Sequence, residues 1–232
     1  MDGICDIHSH ILPGMDDGCK TVEESLTLLR DSFAQGVRYL AATPHYYPVE
    51  SVEAFLERRE KAWQSLQSRL EANMPQIILG AEVSFYTGLC YEERLPELCL
   101  GDTDCMLLEM PFAPWEGSVL KEVGSISMVR GITPIIAHIE RYLRYQNSDT
   151  VQKLLDRGAL IQMNGENLLG AFGGHSGRKL LKKGLVQFLG SDCHNTNSRP
   201  QNLGQAMQVL RKYKMEDHIQ RITGNSLPLF GE

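Results

Sequence analysis

The chain has 232 residues, 42% hydrophobic and 22% charged, an ordinary globular balance. That excludes disordered, collagen-like and disulfide-miniprotein classes. Its 23 Lys and Arg against 29 Asp and Glu give a net charge of −6, which disfavours non-specific binding to nucleic acid.

The opening Met1-Asp2-Gly3-Ile4 has neither a basic nor a long apolar stretch, so no signal peptide is expected. No apolar run reaches the ~18 residues a membrane span needs, so no membrane insertion is expected. Cysteines 5, 19, 90, 99, 105 and 193 form no C-x-x-C pair. They read as reduced thiols of a cytoplasmic protein.

Residues 4–8 read as a first strand. Thr21-x-x-Glu24 is a capping box, Val22, Leu26, Leu29 and Phe33 follow at helical spacing, and Gly36 stops that helix. A strand is predicted over 37–43, then a helix over 52–72 capped by Ser51. Strands over 77–82 and 105–110, a helix over 120–130 and a strand over 133–138 come next. A helix over 150–157, a strand over 159–163, a helix over 176–183, a strand over 186–190 and helices over 203–213 and 216–222 complete the chain. Short, nearly continuous apolar strands alternating with amphipathic helices predict an α/β fold whose parallel sheet is covered on both faces. No linker or low-complexity tract interrupts the pattern, so a single domain over 1–232 is expected.

Polar residues mark the strand ends. His8, His45, Glu82, Glu109, His138, Asn164 and Asp192 each end or directly follow a predicted strand, at intervals of 26 to 37 residues. Each interval fits one βα unit, and in a β/α barrel such groups converge on one mouth. Clustered carboxylates repel one another and hold protons unless a cation is present. Mixed His, Asp and Glu donors suit Mn²⁺, Fe²⁺ or Zn²⁺, and the lack of thiolate donors weakens the case for a structural zinc site. In Asp6-Ile7-His8-Ser9-His10, residues two apart on a strand share a face, so His8 and His10 can grip one ion together. Asp192 and His194 repeat that spacing, and Asp192 is the preferred direct ligand of that pair. Asp16-Asp17-Gly18 lies in a loop able to fold back over the mouth.

Asp-x-His-x-His, Thr43-Pro44-His45, Gly80-x-Glu82, His138-x-Glu140-Arg141-Tyr142 and Ser191-Asp192-x-His194-Asn195 together resemble the PHP (polymerase and histidinol phosphatase) superfamily. The run from Asp6 to Gly18 is similar to the bacterial capsule and exopolysaccharide protein-tyrosine phosphatases of the CpsB/YwqE type. The resemblance spans Asp6 to about Pro200 and implies a distorted TIM-like (β/α)7 barrel of the PHP type. It implies up to three divalent ions, usually manganese, with iron or zinc as alternatives. His8, His10, Glu82 and Asp192 would hold the first ion. Glu82 would bridge to a second, completed by Glu109 and His138, and Asp17, His45 and His194 would hold a third. Arg141 and Arg199 would bind the substrate phosphate. The implied substrate is a phosphotyrosine protein, the tyrosine-rich tail of a bacterial kinase that controls surface-polysaccharide export. Two positions depart from the family pattern: Ile139 stands where proline is usual, and Cys193 where a small residue is usual.

Other readings compete. Cys193 to Arg199 fits C-x5-R, the spacing of thiol-dependent tyrosine phosphatases, but the loop lacks the glycines that turn backbone amides toward a phosphate. A histidinol-phosphate phosphatase would share the ligand set. A nuclease could use the same metals, although no basic stripe with interleaved aromatics is present. A metal-containing module that binds phosphotyrosine without cleaving it is the non-enzymatic alternative. Trp115, Tyr46 and Tyr47 divide evenly between core packing and substrate contact. Met106, Met110, Met128 and Met163 are expected in the core, and His175, His218 and the Lys179, Lys182, Lys183 group on solvated helix surfaces.

Overall fold

The computed structural model describes residues 3–146, 148–170 and 174–232. Its first strand, β1 (Ile4–Ser9), leads to helix α1 (Val22–Ala34) and strand β2 (Val37–Ala42). Thr21 Oγ1 accepts the Glu24 amide at 3.2 Å, while the Glu24 carboxylate accepts from the Lys20 amide. The capping box therefore closes one residue before the cap. Strand β3 (His45–Tyr46), helix α2 (Val52–Gln67), β4 (Gln76–Leu79), β5 (Glu82–Ser84) and β6 (Cys105–Glu109) follow. Then come α3 (Gly117–Arg130), β7 (Thr133–Ile136), α4 (Ser148–Leu155) and β8 (Leu160–Asn164). The chain finishes with α5 (His175–Lys182), β9 (Phe188–Gly190), α6 (Leu203–Lys212) and α7 (Glu216–Ser226).

Every strand pairing is parallel, in two sheets ordered β1-β2-β4 and β3-β5-β6-β7-β8-β9. The expected strand over 37–43 stops one residue short, at Ala42, and the one over 77–82 is interrupted, while His45, expected in a loop after Pro44, starts the short strand β3. Pro44 has no N–H to offer the ladder, and at Gly80 the chain passes so close to Leu100 that a Cβ would lie 2.7 Å from its side chain. Hydrogen bonds carry across the break, from Gly80 N to Ala42 O and from Glu82 N to Pro44 O. The parallel sheet curls, and Ser9 at the end of β1 bridges Cys193 just past β9.

Strand residues sort by alternation. Leu107 of β6 and Ile135 of β7 join Cys5, Ile7, Ala41 and Phe188 in one apolar cluster, closed by Leu227, Leu229 and Phe230. Their neighbours Met106, Leu108 and Ile136 pack in a second cluster with helix residues such as Leu29, Phe55, Val123 and Leu210. A period of two with both faces buried is the pattern of a parallel sheet under helices. Helix α2 ends at Gln67, five residues before the expected limit, and α3 starts three residues earlier than expected. Met128 is 78% exposed, a correction to its expected core place: it lies on the outer face of α3 near its C-terminal end. Met106, Met110 and Met163 are buried as expected.

Candidate metal centre and active site

The C-terminal ends of the strands meet in one place. The register of β1 against β2 slips between Asp6 and Ser9, so three steps on β1 match two on β2. Such a bulge re-aims a side chain at a strand end. Here His8 and His10 converge, with their Nε2 atoms 3.2 Å apart. Both nitrogens also face Glu82 Oε2, at 3.2 and 3.3 Å, and Asp192 Oδ1, at 3.5 and 3.4 Å. Gly190 permits this approach: a Cβ there would lie 2.6 Å from the Cβ of His8.

Glu82 is the hub. Its Oε1 lies 2.8 Å from His138 Nε2, and its Oε2 lies 3.0 Å from His45 Nδ1. Glu109 stands 3.6 Å from His138 Nε2. Asp17, two-thirds exposed, reaches His194 Nε2 at 3.2 Å and His45 Nε2 at 3.6 Å. All nine expected ligands therefore join one cluster. Potential donor sets form around His8, His10 and Glu82, around His45, Glu82 and Glu109, and around His10, Asp17, His45 and His194. The sharing differs in detail from the expected division, since His10 also reaches the third set and His45 the carboxylates of the second.

The donor chemistry suits divalent ions. His45 Nδ1, His138 Nδ1 and His194 Nε2 are buried without a hydrogen bond, although carboxylate oxygens lie within 3.0 Å of the first and 3.2 Å of the third. Nitrogens that face oxygens at non-bonding angles, on a mixed His and carboxylate set, fit a cation placed among them. The electrostatics agree. Burial works against charge on Glu82, but His8 and the close approach of His10, His138 and His45 hold its carboxyl well below the usual range. Glu109 is raised by burial and by repulsion from Glu82. His194 is pushed down to about 4 by burial, then by His10 and Arg199. His138 and Asp192 both adopt positive φ, +30° and +55°, a strained backbone that functional sites tolerate.

Arg141 donates to Asp192 Oδ2, and Arg199 donates to Asp192 Oδ1 at 2.8 Å. Both expected phosphate-binding guanidiniums thus border the cluster. A cleft of about 140 Å³ opens between them, lined also by Asn164, Ser198 and Asn202. A larger cleft of about 710 Å³ lies at the opposite strand ends beside Gly3 and Gly36 and contains none of these residues.

Residues behind the ligands were less visible in sequence. Asp16 accepts from His10 Nδ1 at 2.7 Å and from the amides of His45 and Gly18 at 2.9 Å. It turns His10 Nε2 toward the cluster and ties down the loop carrying Asp17. Gly18 allows that fold: a Cβ would sit 2.2 Å from the His10 carbonyl oxygen. Asp6, fully buried, accepts from Ser191 N, Ser191 Oγ and Gln201 Nε2 and so fixes the turn that presents Asp192. Gln162 on β8 joins His8, the His138 amide and Asn164, and Asn164 Nδ2 donates to Asp192 Oδ2 at 2.9 Å. The two-residue spacing of Gln162 and Asn164 on one strand was the available signal.

The aromatic residues separate. Tyr46 is buried against Phe55, and Trp115 is buried against Tyr142 with its Nε1 donating to Pro111 O. Tyr47 is exposed and its ring lies over His45. The Cys193 loop makes a poor phosphate cradle. The amides of Asn197, Ser198 and Arg199 already bond to Asn195 Oδ1, and burial pushes the Cys193 thiol far above its usual range.

The chain is similar in sequence and fold to known proteins. CpsB of Streptococcus pneumoniae, named a tyrosine-protein phosphatase, is 34% identical over 225 residues, covering 89% of each chain. YwqE of Bacillus subtilis (strain 168), named likewise, is 31% identical over 215 residues, 89% of this chain and 84% of its own. A solved structure from the pair YwqE of Bacillus subtilis and CpsB of Streptococcus pneumoniae, metal-dependent tyrosine phosphatases, matches with a TM-score of 0.80 and 27% identity. It covers 97% of this chain and 94% of that one. The profile of the family described as capsular polysaccharide synthesis, CpsB/CapC, matches residues 4–227, and the chain belongs to that family.

Proposed function

We propose that the protein is a metal-dependent protein-tyrosine phosphatase acting in capsular or exopolysaccharide synthesis. The observation that carries this reading is the convergence of His8, His10, Glu82 and Asp192 beside two guanidiniums. The fold reading that goes with it is one domain, a distorted (β/α)7 barrel closed where Ser9 meets Cys193. His8, His10, Glu82, Asp192, Glu109, His138, Asp17, His45 and His194 would hold up to three divalent ions, with manganese the proposed metal. When bound, such ions supply Lewis acidity, offsetting the charge of a phosphate dianion and acidifying water toward neutral pH.

The remaining work falls to the chain's own groups. Arg141 and Arg199 present forked donors that match phosphate oxygens. Asp192 holds both guanidiniums at the rim, and Asn164 and Gln162 fix Asp192 from behind. A phenolate, with a pKa near 10, leaves more readily than a serine alkoxide, so a tyrosine phosphate demands less acid assistance. The proposed substrate is the tyrosine-rich tail of a bacterial tyrosine kinase in the cytoplasm. Among the described residues no helix is long and apolar enough to cross a membrane.

The test is metal analysis together with phosphotyrosine-peptide hydrolysis before and after EDTA. Activity should vanish with the metal and return with Mn²⁺. Hydrolysis that survives complete metal removal would overturn the reading. Preference for histidinol phosphate over the peptide would transfer it to a small phosphomonoester. Protein that binds the peptide but cleaves no aryl phosphate would be a recognition module.

A further inference from the structure

Two exposed aromatic rings stand on two of the histidines around Glu82, one beside each carboxylate oxygen. Tyr47 stacks on His45 with centroids 5.3 Å apart and planes at 25°. Phe112 faces His138 at 6.1 Å and 15°. Exposed apolar rings ordinarily cost solvation, yet these are 43% and 45% exposed, and the loop that holds Phe112 is anchored on both flanks. The Met110 amide donates to the Tyr142 hydroxyl at 2.9 Å. Gln146 bonds both the Trp115 amide and the Ala113 carbonyl. Tyr142 also backs the Phe112 ring, at 5.1 Å between centroids. A tightly anchored loop that presents an apolar ring to solvent beside a charged cluster is built to contact a ligand rather than to fill a core.

We infer that Phe112 and Tyr47 are the specificity-determining residues that receive the aryl ring of a phosphotyrosine substrate. This rests on the phosphatase reading and adds the source of its selectivity. A phosphoryl group held at the cluster leaves the substituent on its ester oxygen pointing outward, past the rim. For phosphotyrosine that substituent is a flat ring with a π-face for each wall. For phosphoserine it is a single methylene that touches neither. Aromatic contacts of this kind are worth about two- to tenfold in affinity per ring. The two walls together therefore favour aryl over alkyl esters by about 4- to 100-fold, beyond the leaving-group difference.

The experiment compares wild type with Phe112→Ala, Tyr47→Ala, Phe112→Tyr and Tyr47→Phe, all loaded with Mn²⁺. Phosphotyrosine and phosphoserine peptides of the same flanking sequence serve as substrates. In each alanine variant the aryl-to-alkyl ratio of kcat/KM should fall about two- to tenfold, mostly through KM, while bound metal stays equal. The two conservative variants keep a ring and should restore the ratio. Calorimetry with a phosphonomethylphenylalanine peptide, which is not hydrolysed, should show the same loss of affinity. An unchanged ratio with unchanged phosphonate affinity in both alanine variants would overturn the inference while leaving the phosphatase reading intact. Metal loss that accounts for the whole effect would also overturn it, by assigning the rings to histidine support. If wild type cleaves neither peptide, the phosphatase reading falls. Ring-dependent phosphonate binding would then still uphold the aryl site, and its absence would remove both.

Discussion

Gln162 stands behind His8, with its Oε1 3.3 Å from His8 Nδ1. The same oxygen accepts the His138 amide at 2.6 Å, so a backbone N–H fixes which end of the amide faces His8. The imidazole must then donate from Nδ1 and turn Nε2 toward the cluster. Gln162→Leu removes that acceptor and leaves the buried His138 amide unpaired. Metal affinity should fall about 10- to 100-fold, read by competition against a chelating dye. Gln162→Glu keeps the acceptor but loses the donor to Asn164 Oδ1 and should fall between the two. Equal affinities in all three proteins would refute this role.

The arginines and the ligands should part company on mutation. Arg199 lies 2.8 Å from Asp192 and 3.4 Å from Asp17. Removing its positive charge makes both carboxylates more attractive to a cation, so Arg199→Ala should retain its metal. Loss of charge-assisted bonds to the phosphate should still cost about 10- to 100-fold in kcat/KM. His138→Ala and Asp192→Ala should instead lose metal and turnover together. Plasma mass spectrometry of purified variants beside their kinetics separates the outcomes. Metal-depleted Arg199→Ala would place that guanidinium in support of the centre rather than on the substrate.

Protons and metal should compete for His8 and His10. Burial opposes a charged His10 ring, but hydrogen bonds to Asp16, Asp192 and Glu82 prevail and raise it well above its usual value. Burial opposes charge on His8 too, and the Glu82 and Asp192 carboxylates raise it. Raised groups keep their protons to higher pH than a free imidazole does, and a metal needs the neutral imidazole. Binding must therefore release protons, and apparent affinity should rise with pH across the range where these rings deprotonate. Calorimetric titration with Mn²⁺ in buffers of differing ionisation enthalpy measures the release. Affinity that is flat from acid to neutral pH would show that the rings start neutral.

How much of this was legible in sequence depends on how local the cause is. His8, His45, Glu82, Glu109, His138 and Asp192 announce themselves because polar groups interrupt apolar strand ends, and parallel βα units place such ends together. Pro44 marks the end of β2 locally, whereas the break after Leu79 is less visible, because it arises from the approach of Leu100 to Gly80. The positioning roles of Gln162 and Asp6 depend on partners up to 195 residues away, as in the Asp6–Gln201 bond, and local spacing hints at the residues but does not encode those partners. Tyr46 and Tyr47 show the limit most clearly. They are adjacent, yet Tyr46 ends β3 buried against the core while Tyr47, just past the strand, is exposed.

Cys193 provides the sharpest contrast between metal and thiol chemistry. Its side chain is fully buried, and burial followed by the nearby Asp6 carboxylate pushes the thiol well above its usual range. A raised thiol pKa means less thiolate at any given pH, hence a poorer nucleophile. At pH 8 Cys193 should resist iodoacetamide in the native protein and react only after denaturation, as peptide mapping would read. Cys193→Ser is nearly isosteric but places a hydroxyl where the thiol packs, so a stability loss of about 1–2 kcal/mol is expected. Turnover per bound metal should stay within about twofold of wild type, well short of the 10²-fold or greater loss that removing a covalent nucleophile causes. A variant with full metal content and no activity would establish the thiol as the attacking group.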